Sequence, residues 1–222
     1  PLLAGAISSV TGIPQSTGLT LVILVIVCAI YTFSVYFGMK GVQLSAATCT
    51  WLFFGLLAYV FFFGGQTRFI IEEGITALGN LTQNFIGLAT WTDSLRTSSF
   101  PQTWTIFYWA YWMVWCVAVP FFIGSISKGR TLRQVIMGGY VFGLSGTFTS
   151  FIIMGNYGLG LQMHGKLDVL SSYAADGNLY HAILDILGQL PLSKAVLVLL
   201  VLCMITFYST SFDSITMVAS TY

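Results

Sequence analysis

A 222-residue chain that is 56% hydrophobic, only 7% charged and +1 in net charge cannot cover a water-facing surface, because soluble domains carry about a quarter charged residues. It reads as an all-α membrane protein: runs of about 20 apolar residues recur, and the strict apolar/polar alternation of a membrane β-barrel is absent. The near-neutral charge gives no basis for a nucleic-acid partner. The chain begins at Pro1 without an initiator Met and stops at Tyr222 inside an apolar stretch, so it reads as part of a longer protein.

Five stretches are long and apolar enough to cross a bilayer. Residues 18–37 form an uncharged run ended by Gly38-Met39-Lys40, and residues 44–63 form a second, stopped by Gly64-Gly65. The connection 66–102 then carries Ile71, Ile75, Leu78 and Phe85 near helical spacing, with Glu72, Glu73 and Asn80 facing elsewhere. That pattern predicts an amphipathic outer helix, lying on the membrane or a neighbouring subunit, or packed on its own chain as a lid. A third span covers about 103–123, a fourth 134–154 and a fifth 192–212. Lys40 and the loop "SISKGRTLR", with Lys128, Arg130 and Arg133, form short connections without an acid, whereas the other two connections mix signs. The positive-inside rule places the basic loops in the cytoplasm, so the third span enters from outside with Trp104 near its outer end.

That third span opens with "WTIFYWAYWMVW", residues 104–115, seven aromatic side chains in twelve positions. Trp104, Tyr108, Tyr111 and Trp115 fall at i, i+4, i+7 and i+11, with Trp112 beside them, on one helix face. The stripe is roughly 16 Å long, so Trp112 and Trp115 lie too deep for an interfacial belt. Packing between helices and the lining of a cavity both fit. Electron-rich faces with no nearby acid suit a quaternary ammonium group, which cannot donate a hydrogen bond and is held by cation–π attraction. Pro120, later in the same span, removes a backbone bond and predicts a kink.

Other features carry less. Cys28, Cys49, Cys116 and Cys203 lie in apolar runs without CxxC spacing, which points to core packing rather than disulfides or zinc. "GLSG", residues 143–146, matches the G-x-S-G of rhomboid-type proteases, but the only histidines, His164 and His181, fall in an outer connection rather than on a later helix. No enzyme is expected, and Gly138, Gly139, Gly143 and Gly146 read as close helix packing. "GNYGLG", residues 155–160, reads as a helix-ending turn. No ring of carbonyls or charges suggests a channel filter. Asp213 is the one acid well inside the end of a span, and an intramembrane carboxylate is functional by default. It tunes an ion site, binds protons or serves as a structural acceptor.

The stripe followed by "SISKGRTLR" resembles the signature helix and cytoplasmic loop of the betaine/choline/carnitine transporter family: a Trp-Thr start, FYW-x-x-W, then an Ile-Ser-basic-Gly-Arg-Thr loop. "GMKGVQ" resembles the loop before the family's seventh helix. The resemblance covers the whole chain. It implies that residues 1–222 form a single transmembrane fragment, approximately helices six to ten of a twelve-helix LeuT-type inverted-repeat transporter, with residues 1–16 as the loop before the sixth. It also implies a homotrimer in the cell membrane that imports a glycine betaine, carnitine or choline type of compound by alternating access, without catalytic residues or a cofactor. Trp112 aligns with one wall of the family's aromatic box, and Trp104, Tyr108, Tyr111 and Trp115 with its route in and out; Tyr111 stands where the family usually has Trp. Phe207, Thr210 and Ser211 match the Phe-x-x-Thr-Ser motif that holds sodium in the symporters, and hydroxyl and carbonyl oxygens suit that ion, though such hydroxyls also bond the preceding turn. The family also contains proton-coupled carriers and ion-independent exchangers. The exchangers' Arg and Met align, to within one residue, with Cys49 and Val119, and Trp115 agrees with the symporters. Ala118 stands where betaine symporters have a Phe beside a second sodium. Sodium symport with at least one ion is the expectation, and exchange or proton coupling the alternative.

Overall fold

The computed structural model describes residues 2–116, 118–176 and 179–221, and among these there is no strand. The first helix, α1 (Leu2–Thr11), occupies the stretch expected to be a loop. Its Leu3, Ala4, Gly5 and Ala6 are small or apolar enough to bury together, and that burial is what orders the segment. Helix α2 (Thr17–Tyr36) starts at Ser16, whose hydroxyl accepts the Leu19 amide at 3.1 Å, and α3 (Met39–Phe63) follows almost at once. Gly38 makes that tight reversal possible, since its φ of +63° is open to glycine at little cost.

Helix α4 (Thr67–Thr90) is the amphipathic outer helix. Its apolar stripe faces outward, as expected of a helix on the membrane or a neighbouring subunit, and not inward as a lid packed on its own chain would have it. Ile70 and Gly74 are buried, while Ile71, Ile75, Leu78 and Phe85 point away from the chain. Gly74 decides the contact: a Cβ there would lie 2.6 Å from Cγ2 of Ile152.

A π-helical turn (Pro101–Thr105) leads into α5 (Ile106–Trp115), and α6 (Ala118–Ile126) continues after a break. The arms Pro101–Trp115 and Val119–Ile126 are inclined by 57°. The predicted kink is therefore real, and its position follows from Pro120, which has no N–H to return to the carbonyl of Cys116. Helix α7 (Leu132–Ser150) begins with a Thr131/Gln134 capping box and runs through a π-helical turn (Phe151–Gly155) into α8 (Asn156–Met163). The GNYGLG segment is thus helical, not a terminating turn. Its glycines serve close approach: a Cβ on Gly160 would meet Phe69 at 3.0 Å, and one on Gly158 would meet Ile186 at 3.2 Å. The helix ends nine residues later than expected, at His164 and Gly165 (φ +65°). Short α9 (Val169–Asp176) and α10 (Leu179–Gly188) precede the long α11 (Ser193–Thr221).

Four helical stretches are long and apolar enough to cross a membrane: Thr17–Tyr36, Lys40–Phe63, Leu132–Met163 and Ser193–Asp213. The bent pair makes a fifth if it is one crossing. The apolar core joins Ala6 of α1, Leu56 and Val60 of α3, Tyr157 of α8, Leu187 of α10 and Leu200 of α11. Helix α11 is its centre, packed against α1, α2, α3, α6 and α10. Tyr59 locks the outer end of α3 to the start of α11 by donating to the Pro191 carbonyl at 2.6 Å. Two packing expectations need correction. Cys49 and Cys203 are buried, but Cys116 is exposed. No described atom of a neighbouring element comes within 4 Å of a Cβ built on Gly138, Gly139, Gly143 or Gly146, so among the described residues these glycines make no close helix contact.

Gly74→Leu in the full-length protein should pry α4 from the turn at Ile152 and destabilise it by about 1–3 kcal/mol, the usual effect of overpacking. Gly79→Leu, on open space of the same helix, should not lower the thermal unfolding midpoint, since leucine is also the better helix former.

Candidate functional site

Helix α5 carries the aromatic stripe on a surface that this chain leaves open; none of its residues is buried. The rings nevertheless order one another. Trp104 stacks with Tyr108 at 6.3 Å between centroids, and Phe107 with Tyr111 at 6.1 Å. Tyr111 also meets Trp112 edge-on at 6.1 Å and Trp115 at 6.0 Å, tilted by 53°. Tyr111 is therefore the hub of the inner half of the stripe. Trp112 is 64% exposed, and its indole is available as a flat apolar wall. The five predicted ring residues lie on α5 and the π-helical turn that leads into it, and among the described residues no other helix closes them into a box.

The outer end of that helix is fixed by a feature that the spacing of apolar residues does not reveal. Asp93 is only 5% exposed. Its Oδ1 accepts from the amide and hydroxyl of Thr97 at 3.1 and 3.0 Å, and its Oδ2 from the amide and hydroxyl of Ser98 and the amide of Ser99 at 2.9–3.0 Å. Burial pushes the carboxyl up, but these donors outweigh it and hold it at about 2. They also hold Asp93, Arg96 and Ser99 in left-handed backbone conformations. Gln102, just inside the π-helical turn, donates to the Thr92 carbonyl at 3.0 Å and ties the loop to the helix.

The second set of candidates lies on α11. Thr210 and Ser211 both donate to the Phe207 carbonyl, at 3.0 and 3.1 Å, and the Phe207 ring packs edge-on against Phe53 of α3 at 5.3 Å. This is the back-bonded arrangement of hydroxyls on a helix. A hydroxyl in the donor role still presents oxygen lone pairs, which is what a hard cation takes, so the three residues fit a sodium ion. Asp213 does not join them. It is fully buried on the face of α11 packed against α2 and α3, where Ser34 donates to its Oδ2 at 2.9 Å. Ser34 gives no signal in the sequence, being one hydroxyl in an uncharged apolar run. Cys49 faces Thr206 and Thr210 across the α3–α11 contact. The side chain of Ala118 lies outside the described residues.

An apolar cavity of about 310 Å³ lies between α1, α2 and α11, lined by Val27, Tyr31, Tyr208 and Phe212 among others. A wider groove of about 730 Å³ runs between α6 and α7, from Pro120 past Arg130 to Tyr140. Neither includes a ring of the stripe.

The profile of the betaine/carnitine/choline family of transporters matches residues 1–222. The chain belongs to that family. It is 30% identical over 211 residues to a carnitine transporter of Acinetobacter baumannii, covering 94% of this chain and 38% of that protein. It is 29% identical over 217 residues to a probable glycine betaine transporter of Desulfitobacterium hafniense, covering 97% of this chain and 42% of that protein. It is 31% identical over 212 residues to glycine betaine transporter 2 of Vibrio parahaemolyticus, covering 95% and 38%. The chain spans about two-fifths of the length of these curated relatives. The resemblance carried by the stripe and the basic loop is thereby established for the family as a whole, which is one of transporters and not of enzymes.

The Asp93 loop gives a pH test with a definite sign. A carboxyl held below its unfolded value stabilises above that value, about 4, and the contribution is lost as pH falls towards about 2. Amide protection of Thr97, Ser98 and Ser99 should hold from pH 7 to about 5 and decline below about 4, after correction for intrinsic exchange. Asp93→Asn should lower it at every pH.

Proposed function

We propose that the full-length protein imports a quaternary-ammonium compound of the glycine betaine, carnitine or choline class across the cell membrane, by sodium symport with alternating access. The observation that carries this reading is the uncovered aromatic face of α5, in which stacked rings present Trp112 to whatever packs or binds there. Trp112 supplies one wall for the trimethylammonium group, and Trp104, Tyr108, Tyr111 and Trp115 line the approach. The names of the relatives, carnitine and glycine betaine transporters, agree with this chemistry. The remaining walls come from the part of the protein outside this chain.

Phe207, Thr210 and Ser211 hold the coupling ion. Their oxygens suit sodium, and Cys49 and Val119 offer no fixed positive charge to replace it. Helix α6 connects the two ends of the mechanism, because it rests on α11 and lies across the 57° bend from α5. A homotrimer is part of the reading, with the outward stripe Ile71, Ile75, Leu78 and Phe85 of α4 as an apolar contact for a second subunit.

Uptake of glycine betaine, carnitine or choline into proteoliposomes should require an inward sodium gradient. Equal uptake with potassium in place of sodium, or full counterflow from preloaded vesicles with no ion gradient, would replace symport by exchange. For the binding role, Trp112→Leu should weaken substrate affinity by about 2 kcal/mol, roughly 30-fold. An unchanged affinity would remove Trp112 from the box.

A further inference from the structure

A carboxylate inside a membrane-spanning bundle has to be neutralised or fully hydrogen-bonded, and Asp213 is not fully hydrogen-bonded among the described residues. It is 0% exposed. Oδ2 accepts from Ser34 of α2 at 2.9 Å, but Oδ1 is buried and receives no hydrogen bond among the described residues. One turn earlier, Ser209 is also 0% exposed, and its hydroxyl has no partner among them. The i, i+4 spacing puts both on one face of α11. From α3, the Ser45 side chain stands beside the same carboxylate. Oxygen-bearing side chains from three helices thus converge on Asp213, the two on α11 fully buried and Ser34 and Ser45 half-buried, and the Ser209 hydroxyl and Asp213 Oδ1 lack partners among the described residues.

Buried polar atoms left in this state call for a ligand, and the charge says which kind. The only lysines or arginines on α2, α3 and α11 are Lys40 and Lys194, both exposed. A water molecule would satisfy the oxygens but leave the buried negative charge uncompensated. A divalent ion would leave a positive charge in excess. Carboxylate and hydroxyl oxygens without a thiolate or imidazole select a hard cation. We propose that Asp213 and Ser209, with Ser34 and Ser45, bind a monovalent hard cation, sodium in the first instance, between α2, α3 and α11. The site is distinct from Phe207, Thr210 and Ser211, and it does not depend on the symport reading. It is closed by this chain alone and needs no substrate.

Equilibrium binding of radioactive sodium to the purified full-length protein, without onium substrate, tests it. A Thr210→Ala/Ser211→Ala variant should still bind one sodium saturably. Adding Asp213→Asn should abolish that binding, and adding Ser209→Ala should weaken it by about tenfold or more, the scale on which groups supporting a metal site act. Ser209→Ala removes a single oxygen and carries the test if Asp213→Asn does not fold. Three results would overturn the proposal: no sodium on the folded Thr210→Ala/Ser211→Ala variant; residual sodium indifferent to both Asp213→Asn and Ser209→Ala; or, in sodium-saturated protein, a protonated-carboxyl infrared band that disappears in Asp213→Asn. The symport reading fails separately, if the Thr210→Ala/Ser211→Ala variant binds as much sodium as the wild type and transports unchanged.

Discussion

One buried helix face governs this structure. From Val196 through Leu200 and Cys203 to Ser209 and Asp213, α11 keeps a continuous strip covered, and α1, α2, α3, α6 and α10 all rest on it. Between helices in lipid, apolar burial alone supplies little preference, so close packing and polar pairs must hold the arrangement. Each end of α11 has such a device. Near its start, the Tyr59 hydroxyl is fixed to Pro191; further along, Ser34 is fixed to Asp213. The apolar core lies between these two tethers.

That division separates a part that is held from a part that is presented. Helices α2, α3 and α11 form the held part, with α4 and α8 attached through positions where glycine allows close approach. Helix α5 is presented, anchored at its outer end by the Asp93 loop and released at its inner end by the break before Pro120. Along its open face the ring-to-ring contacts each contribute about 0.5–1.5 kcal/mol beyond area burial.

The parts legible in the sequence were those governed by hydropathy and by local periodicity. Thr17–Tyr36 and Ser193–Asp213 stand out as apolar runs, α4 as an amphipathic helix, and the ring stripe by its 3.6-residue period. Glycine defeats the same reasoning in one segment and hides a contact in another. In 155–160 it resembles a terminator, yet Gly158 and Gly160 let Ile186 and Phe69 approach a helix that continues to Met163. On α4 the stripe Ile71, Ile75, Leu78 and Phe85 is exposed, as a helix lying on the membrane or a neighbouring subunit requires, while the contact with this chain falls at Ile70 and Gly74, and a glycine adds nothing to an apolar stripe. Helix α1 was missed because Leu3 to Ala6 gains its helical order from tertiary burial rather than from propensity. Ser34 was invisible for a related reason: its role exists only once α2 lies against α11.

The tripeptide Ser209-Thr210-Ser211 shows how three adjacent hydroxyls acquire different chemistry from rotation alone. Successive side chains on an α-helix are about 100° apart, so one hydroxyl cannot share a face with the next. Ser209 turns to the packed side with Asp213, where lipid and water are both excluded, while Ser211 turns outward and Thr210 lies between, within reach of Cys49. Thr210 and Ser211 both back-bond to the Phe207 carbonyl. The oxygens of Ser209 and Asp213 lie instead in a closed space with a formal charge beside them. One helix thereby carries an open polar face and a sealed one within two turns, and the requirement for charge compensation falls on the sealed side.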